Sequence, residues 1–506
     1  MKFALLTLST LLALWTSPGA LAQAPPASPL RVGAAKVDVT PDTNPQQVLD
    51  RLYSRAIVIA NADTSAALIT VDTIAINDGL WQTLTGRLEK ELGIPARNVF
   101  ITATHTHSAM GGGRGPGPGG PGAPGGRGAA AGQAPAGDAP GRGAPGAPGQ
   151  AGGRGGPGAV GPQGGRGGPG GPGSSAMAEK VFTTVKMAKD KLQPARMGYG
   201  TGVSYLNVNR EIIEPKTRLW HEGANYDGVS DKTVAVVKFE TLNGDPIAVY
   251  FNYALHGVIT GTTGMISADA PGAAMNYIED SFDDKAVALW STAAEGDQNP
   301  IFFQQTFDVR DFQTKAILKQ GGRDYSDSIP PMTNLDRNDP IVKRLERQQK
   351  QMILTMGQML GEEVLHVMRT TDRTVSSASI SSNQTTVTCP GRQRTDRGVR
   401  AGVQGAYVDA DPVPIRLSLL RIGDIALSGV NAEVYAGIGM RLKKESSTAT
   451  MMVTLTNGSA PSGYIPSDAA YGQLTFEVLS SRLKPGCAES AIVNGLLDMM
   501  TEGPKR

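Results

Sequence analysis

From Gly111 to about Ala176 the chain is nearly all glycine, proline and alanine, punctuated by Arg114, Arg127, Arg142, Arg154 and Arg166. A segment of that composition cannot bury enough apolar surface to offset its ordering entropy, so it is predicted to be disordered. The irregular G-x-y spacing speaks against a collagen triple helix. Five arginines without interleaved aromatics also point away from nucleic acid as a partner. Whatever folds must therefore be assembled from the two flanks, residues 23–110 and 177–506, closing around an insertion at 111–176. The insertion leaves immediately after a histidine-bearing strand, where a loop would rim a site.

The N-terminus bounds the compartment. Lys2, an apolar run from Phe3 to Trp15 and Ala20-Leu21-Ala22 before Gln23 have the three-part layout of a secretory signal over residues 1–22. Its apolar core is short for a membrane span, and no later stretch has the roughly 18 unbroken apolar residues a spanning helix needs. The expected mature protein is secreted or periplasmic, without a transmembrane segment, though transient contact with a membrane surface is compatible with that. A formal charge of +2 selects no polyanionic partner. Cys389 and Cys487 are the only thiols; export permits a disulfide, and spacing alone leaves their pairing open. With so few thiols, a metal would have to be held by histidine, carboxylate or phenol groups.

The hydrophobic pattern predicts an α/β protein of mixed β-sheets with flanking helices, folded as one large catalytic domain. Arg31 to Pro41 reads as a strand, and Ala56–Ala60 with Ala67–Val71 as a hairpin. Asn77 is placed to cap a helix carrying Leu80, Leu84, Leu88 and Leu92, closed by Gly93. The next strand, Asn98 to Ile101, runs into His105 and His107. After the insertion come a helix from Met177 to Leu192 and a strand from Gly198 to Asn207 ended by Asn209-Arg210. A hairpin across Asn243-Gly244 then runs into His256-Gly257. Asp269 is placed to cap a helix near Pro271. A long helix covers Asp339 to Arg369, a hairpin turns at Gly423-Asp424, and Gly429 to Glu433 leads into a further helix.

Only five histidines occur in 506 residues, and two of them form His105-Thr106-His107. Alternation in an extended chain puts both imidazoles on one face. They could address one metal ion together, or act as ligand and acid/base, or be ordinary polar histidines at a strand terminus. His105, His107, His256, Glu433 and Tyr464 all fall at strand exits, where open α/β sheets tend to bind ligands.

These residues resemble a known family. Val32-Gly33-Ala34, Asp38-Val39-Thr40-Pro41, Ala103 to Ser108, His256-Gly257, Gly296-Asp297, Thr388-Cys389-Pro390, Glu433, Asn457-Gly458 and Ser462-Gly463-Tyr464 are similar, in order, to motifs of the neutral (non-lysosomal) ceramidases. The resemblance implies a zinc amidase in which zinc-bound water splits the N-acyl bond of ceramide or a similar N-acyl lipid. It implies His105, His256, Glu433 and Tyr464 as ligands of Zn2+. His107 and Arg210 become catalytic groups, and Phe476, Asp269 and Asp297 fall on the substrate side. Departures are visible too. Gly296-Asp297-Gln298-Asn299-Pro300 lacks the family's serine, and Phe476 stands where a second tyrosine would reach a substrate hydroxyl. The insertion replaces the usual loop after His107, and no C-terminal immunoglobulin-like domain is expected. Two other readings stand beside this one: a zinc hydrolase or lyase acting on a glycan or soluble amide, and a non-catalytic surface-binding protein.

Overall fold

The computed structural model describes residues 27–43, 47–109, 172–261, 263–322, 324–325, 330–332, 334–396 and 401–501. The signal-like segment at 1–22, and the insertion up to residue 171, lie outside the described residues. The expected architecture, mixed sheets flanked by helices, is what forms, and it does so in four layers.

The largest sheet has the strand order Val287–Thr292, Pro246–Tyr253, Thr233–Thr241, Gln193–Val203, Arg31–Asp38, Tyr53–Ala60, Ser65–Val71, Val99–Ala103, with Thr374–Val375 added beside Gln193–Val203. Neighbours are antiparallel except at the two ends, where Val287–Thr292 and Val99–Ala103 each run parallel to the adjacent strand. One face carries Ile57, Ile59, Leu68, Phe100, Val237 and Tyr250. It packs on Leu420, Ile422, Leu427, Met451 and Val453 of a four-stranded sheet, Ile380–Arg394, Tyr407–Ile422, Ile425–Val430 and Ala449–Val453. Each such fully buried side chain contributes on the order of 1.5–3 kcal/mol, which makes this interface the main apolar seam. The opposite face of the large sheet is covered in two halves. Helices Asp78–Leu92 and Pro172–Asp190 cover one half, and Asp269–Asp280 with Pro340–Thr370 cover the other. Helices Ala436–Glu445 and Ala488–Thr501 close the outer side of the smaller sheet. Cys389 and Cys487 form a disulfide there. No helix among the described residues is long and apolar enough to cross a membrane.

Curvature of the large sheet decides where function can sit. Its two outermost strands approach each other, and Thr292 Oγ1 donates to Ala103 O at 2.9 Å. The chain leaving Ala449–Val453 stitches the gap: Thr454 N donates to Thr292 O at 2.8 Å and Asn457 N to Ile101 O at 2.9 Å. The exits of Val99–Ala103, Val287–Thr292 and Ala449–Val453 are thereby drawn to one rim.

Several local expectations hold. Asn77 Oδ1 accepts from Leu80 N, Gly93 closes that helix with φ 65°, and the long helix expected over Asp339 to Arg369 forms as Pro340–Thr370, with Asp339 just outside it as the cap. The hairpins across Gly244 and Gly423 form. Others need correction. The expected strand at 198–207 is two strands, Gln193–Val203 and Asn207–Ile213, so Arg210 lies inside a strand and does not terminate one. Glu433 does not open a helix: it pairs in the short strand Glu433–Val434 with Tyr464–Ile465, and the helix starts at Ala436. Asp269 is not the N-cap of its helix. It occupies the first turn with φ 57°, and Ala268 is the capping residue.

Candidate metal centre

Three imidazoles converge at the rim. His105 lies two residues beyond Val99–Ala103, in the left-handed region at φ 59°. Strand alternation is therefore not what joins it to His107; a turn does. Thr106 bridges in parallel to Gly257, and His107 N donates to Gly257 O at 2.9 Å. That contact explains the glycine after His256, since a Cβ on Gly257 would stand 3.1 Å from His105 O and Thr106 Cα. The chain after Val99–Ala103 and the chain after Pro246–Tyr253 are thus zipped together at the level of their histidines.

Hydrogen bonding fixes which way the rings present their lone pairs. His105 Nδ1 lies 2.7 Å from Ile74 O and His256 Nδ1 lies 3.0 Å from Gln298 O. A carbonyl only accepts, so each Nδ1 carries the proton and each neutral ring leaves Nε2 as an acceptor. Both Nε2 atoms stand 3.3 Å from the same Glu433 Oε2, and His107 Nε2 stands 3.3 Å from His105 Nε2. Glu433 Oε2 is buried and has no hydrogen-bond partner. Acceptors facing an acceptor in a buried spot are repulsive unless a proton or a cation lies between them. A tetrahedral ion with bonds of about 2.0–2.1 Å has ligand–ligand edges of about 3.3–3.4 Å, which matches these separations. The residues present fit a zinc-sized divalent ion.

Electrostatics agree. Burial, with the charge of Arg210 beside it, pushes His256 down to about 3, so that ring is neutral at ordinary pH. Burial works to raise Glu433, but His105 and His256 hold its carboxyl well below the usual range. Burial opposes charge on His105 while Glu433 raises its pKa, so a proton is the competitor for the ion's place. His107 is exposed, unlike His105 and His256.

Arg210 closes one side. It is buried, its Nη1 is 3.4 Å from His256 Nε2, and Nη2 pairs with Glu477 at 2.7 Å and donates to Gly296 O at 2.7 Å. Burial disfavours its charge, but Glu477 keeps the guanidinium firmly protonated. Strand pairing puts Tyr464 opposite Glu433, and the Arg210 guanidinium lies 5.4 Å from the centre of the Tyr464 ring. Phe476 lies beside Tyr464 with ring centroids 6.0 Å apart.

His105, His107, His256, Glu433, Tyr464 and Arg210 are thus brought together, with Phe476 at the edge. The two aspartates are not part of that group. Asp297 accepts from Ala436 N and Asn209 Nδ2, bracing the loop behind Arg210. Asp269 accepts from Thr260 N and Oγ1 and from Ala270 N, tying the loop after His256 to a helix. Both brace loops that position the centre. Two acids went unmarked in the sequence. Glu477 follows Phe476 directly and holds Arg210. Glu295, fully buried and lifted by its burial to about 8, lies within 4.8 Å of His105 and Glu433. Neither belongs to a spacing motif; only the folded chain brings them in.

A groove of about 390 Å³ is lined by Ile212, His221, Glu222, Tyr226, Phe302 and Phe307. Glu222 accepts from Asn299 Nδ2 at 2.9 Å, and Asn299 Oδ1 accepts from Arg210 Nη1 at 3.3 Å.

Residues 172–395 match the family described as neutral/alkaline non-lysosomal ceramidase, N-terminal. Over this stretch the chain is similar to that family. The stretch holds Arg210 and His256, while His105, Glu433 and Tyr464 lie outside it and join by geometry. Neutral ceramidase B of Dictyostelium discoideum is 29% identical over 129 residues, 24% of this chain and 18% of that protein. The crystal structure of neutral ceramidase from Pseudomonas aeruginosa superposes with a TM-score of 0.61 at 16% identity, covering 95% of this chain and 76% of that one. A ceramidase complexed with C2 gives 0.61 at 15% identity over the same shares. The ceramidase fold therefore extends across nearly the whole chain.

Proposed function

We propose that this chain is an exported, zinc-dependent amidase that hydrolyses the N-acyl bond of ceramide or a closely similar N-acyl lipid. One observation carries the reading: His105 Nε2 and His256 Nε2 both face an unpartnered Glu433 oxygen at 3.3 Å, beside a buried guanidinium. His105, His256 and Glu433 would hold the ion, with Tyr464 as the fourth donor. Bound there, a zinc ion would supply Lewis acidity to the scissile carbonyl and a nucleophile at neutral pH.

The remaining steps fall to the chain's own side chains. His107, the exposed imidazole of the three, is free to pass a proton to the departing amine. Arg210, held by Glu477 and Gly296 O, offers its N–H groups to negative charge developing on the carbonyl oxygen. Burial of the guanidinium makes that interaction stronger than it would be in water. The groove lined by Glu222 connects to Arg210 through Asn299, and its apolar residues, Ile212, Ile301, Phe302 and Phe307, suit an aliphatic chain better than a glycan. The disulfide supports the export expected from residues 1–22, because such bonds persist in oxidising compartments.

The test is metal analysis of the purified protein followed by turnover on labelled ceramide and on a panel of soluble amides and glycosides. Stoichiometric zinc with ceramide cleavage is expected. Zinc with cleavage of only the soluble compounds would transfer the site to another substrate class, and absence of both metal and turnover would remove the enzyme reading.

A further inference from the structure

The roles assigned above leave Glu295 without one. It sits at the exit of Val287–Thr292, fully buried. Thr454 Oγ1 donates to its Oε2 at 2.5 Å, and Thr454 is itself anchored by its N–H, which donates to Thr292 O at 2.8 Å. Its Oε1 is buried with no hydrogen-bond partner. A donor oxygen of Glu295 lies within 4.8 Å of the donor atoms of His105 and Glu433. Two free carboxylate oxygens, Glu295 Oε1 and Glu433 Oε2, therefore share one buried neighbourhood.

Two buried carboxyl groups side by side cannot both be ionised cheaply unless positive charge is placed between them. Arg210 does not meet that need, because its ion pair is with Glu477 at 2.7 Å. A dication among neutral imidazoles and two carboxylates balances the charge. We propose that Glu295 is a further oxygen donor to the ion at this centre, giving it a second carboxylate beside the His105, His256 and Glu433 set. The inference rests on the metal reading above. Its consequence is an oxygen-enriched donor set, which admits harder ions such as Mn2+ more readily than a set with a single carboxylate does.

The test uses the full-length protein stripped of metal and titrated calorimetrically with Zn2+ and with Co2+, together with the visible absorption of the Co2+ form. For Glu295→Gln, affinity for both ions is expected to fall about 10–100-fold. The Co2+ bands should gain intensity as the ion loses a donor and approaches tetrahedral geometry. The metal-free variant should unfold at no lower temperature than the metal-free parent, because the amide replaces a carboxyl group that burial already favours as neutral. Glu295→Asp, which keeps the charge on a shorter arm, should give an intermediate affinity and spectrum, and it serves where the glutamine variant fails to fold. Wild-type affinity and an unchanged Co2+ spectrum in the variants would overturn the role of Glu295 while leaving the metal centre standing. Failure of the parent protein to bind either ion would overturn both.

Discussion

At the scale of single residues, His107 and His105 differ in exposure and in what they face, and their substitutions should separate cleanly. His107 is exposed, and the carbonyls of Ile74 and Gln298 orient His105 and His256 instead, so His107→Ala should retain stoichiometric metal and lose about 10²–10⁴-fold in kcat. Metal content measured beside turnover checks this; full turnover would take His107 out of the reaction. A pH effect belongs to His105. Glu433 raises its pKa in the metal-free chain, and the ion can bind only once that proton leaves. Zn2+ affinity should therefore rise with pH through the raised pKa, and go on rising until Glu295, at about 8, has also lost its proton. His256, at about 3, is already neutral and adds no dependence above pH 4. Calorimetric titration of the apoprotein between pH 5 and 8 reads this directly, and a flat profile would contradict it. Phe476 bears on which substrate is accepted. Its ring lies beside Tyr464 and offers no hydroxyl, so Phe476→Tyr should raise kcat/KM for ceramide if a substrate hydroxyl docks there. No gain would mean that the substrate lies elsewhere against Tyr464.

At the scale of elements, the disulfide is a wrap around half of the site. Cys389 lies at the register shift of strand Ile380–Arg394, and Cys487 directly precedes helix Ala488–Thr501. The 98-residue span between them contains Glu433, Thr454, Tyr464 and Glu477. Closing so long a loop restricts the unfolded chain, and removing a bond of this kind costs about 2–4 kcal/mol. The Cys389→Ser, Cys487→Ser double variant should unfold at distinctly lower denaturant and lose bound metal in the same transition. Equal midpoints with and without the bond would show that packing alone holds this half. Elements also mark what the sequence could and could not disclose. The cap at Asn77 and the turns at Asn243-Gly244 and Gly423-Asp424 were legible because turn chemistry is local. The left-handed backbone of His105 was not, because it follows from zipping Thr106 to Gly257, a residue 151 positions away. Arg210 was recognised as a site residue but misplaced at a strand end, since its neighbours Asn207 to Ile213 pair with Gln298–Pro300 and not with the large sheet. Glu295 and Glu477 look like any loop acid until curvature of the sheet buries them.

At the scale of the whole molecule, the centre is shared between the two flanks of the Gly/Pro/Ala-rich segment. His105 and His107 precede it and every other donor follows it, yet the contacts that set the two imidazoles do not require it. Thr106 Oγ1 donates to Ser267 O at 2.6 Å, Ser267 N donates to Ser108 O at 3.0 Å, and His105 is oriented by Ile74 O. These bonds grip the chain up to Ser108 from both sides of the rim, and Pro172–Asp190 packs on the large sheet through Val181, Phe182 and Val185. The segment between them has its two ends fixed independently. Lengthening or shortening such a connection changes closure entropy only logarithmically, about 0.6 kcal/mol per doubling. Replacing residues 111–171 with a flexible linker of about fifteen residues should therefore leave metal stoichiometry and kcat within about twofold of the parent. The variant's metal content, unfolding midpoint and turnover on a soluble substrate decide the matter. Loss of turnover with metal retained would give the segment a part in substrate handling, and loss of metal would show that the grip on Ser108 is insufficient by itself.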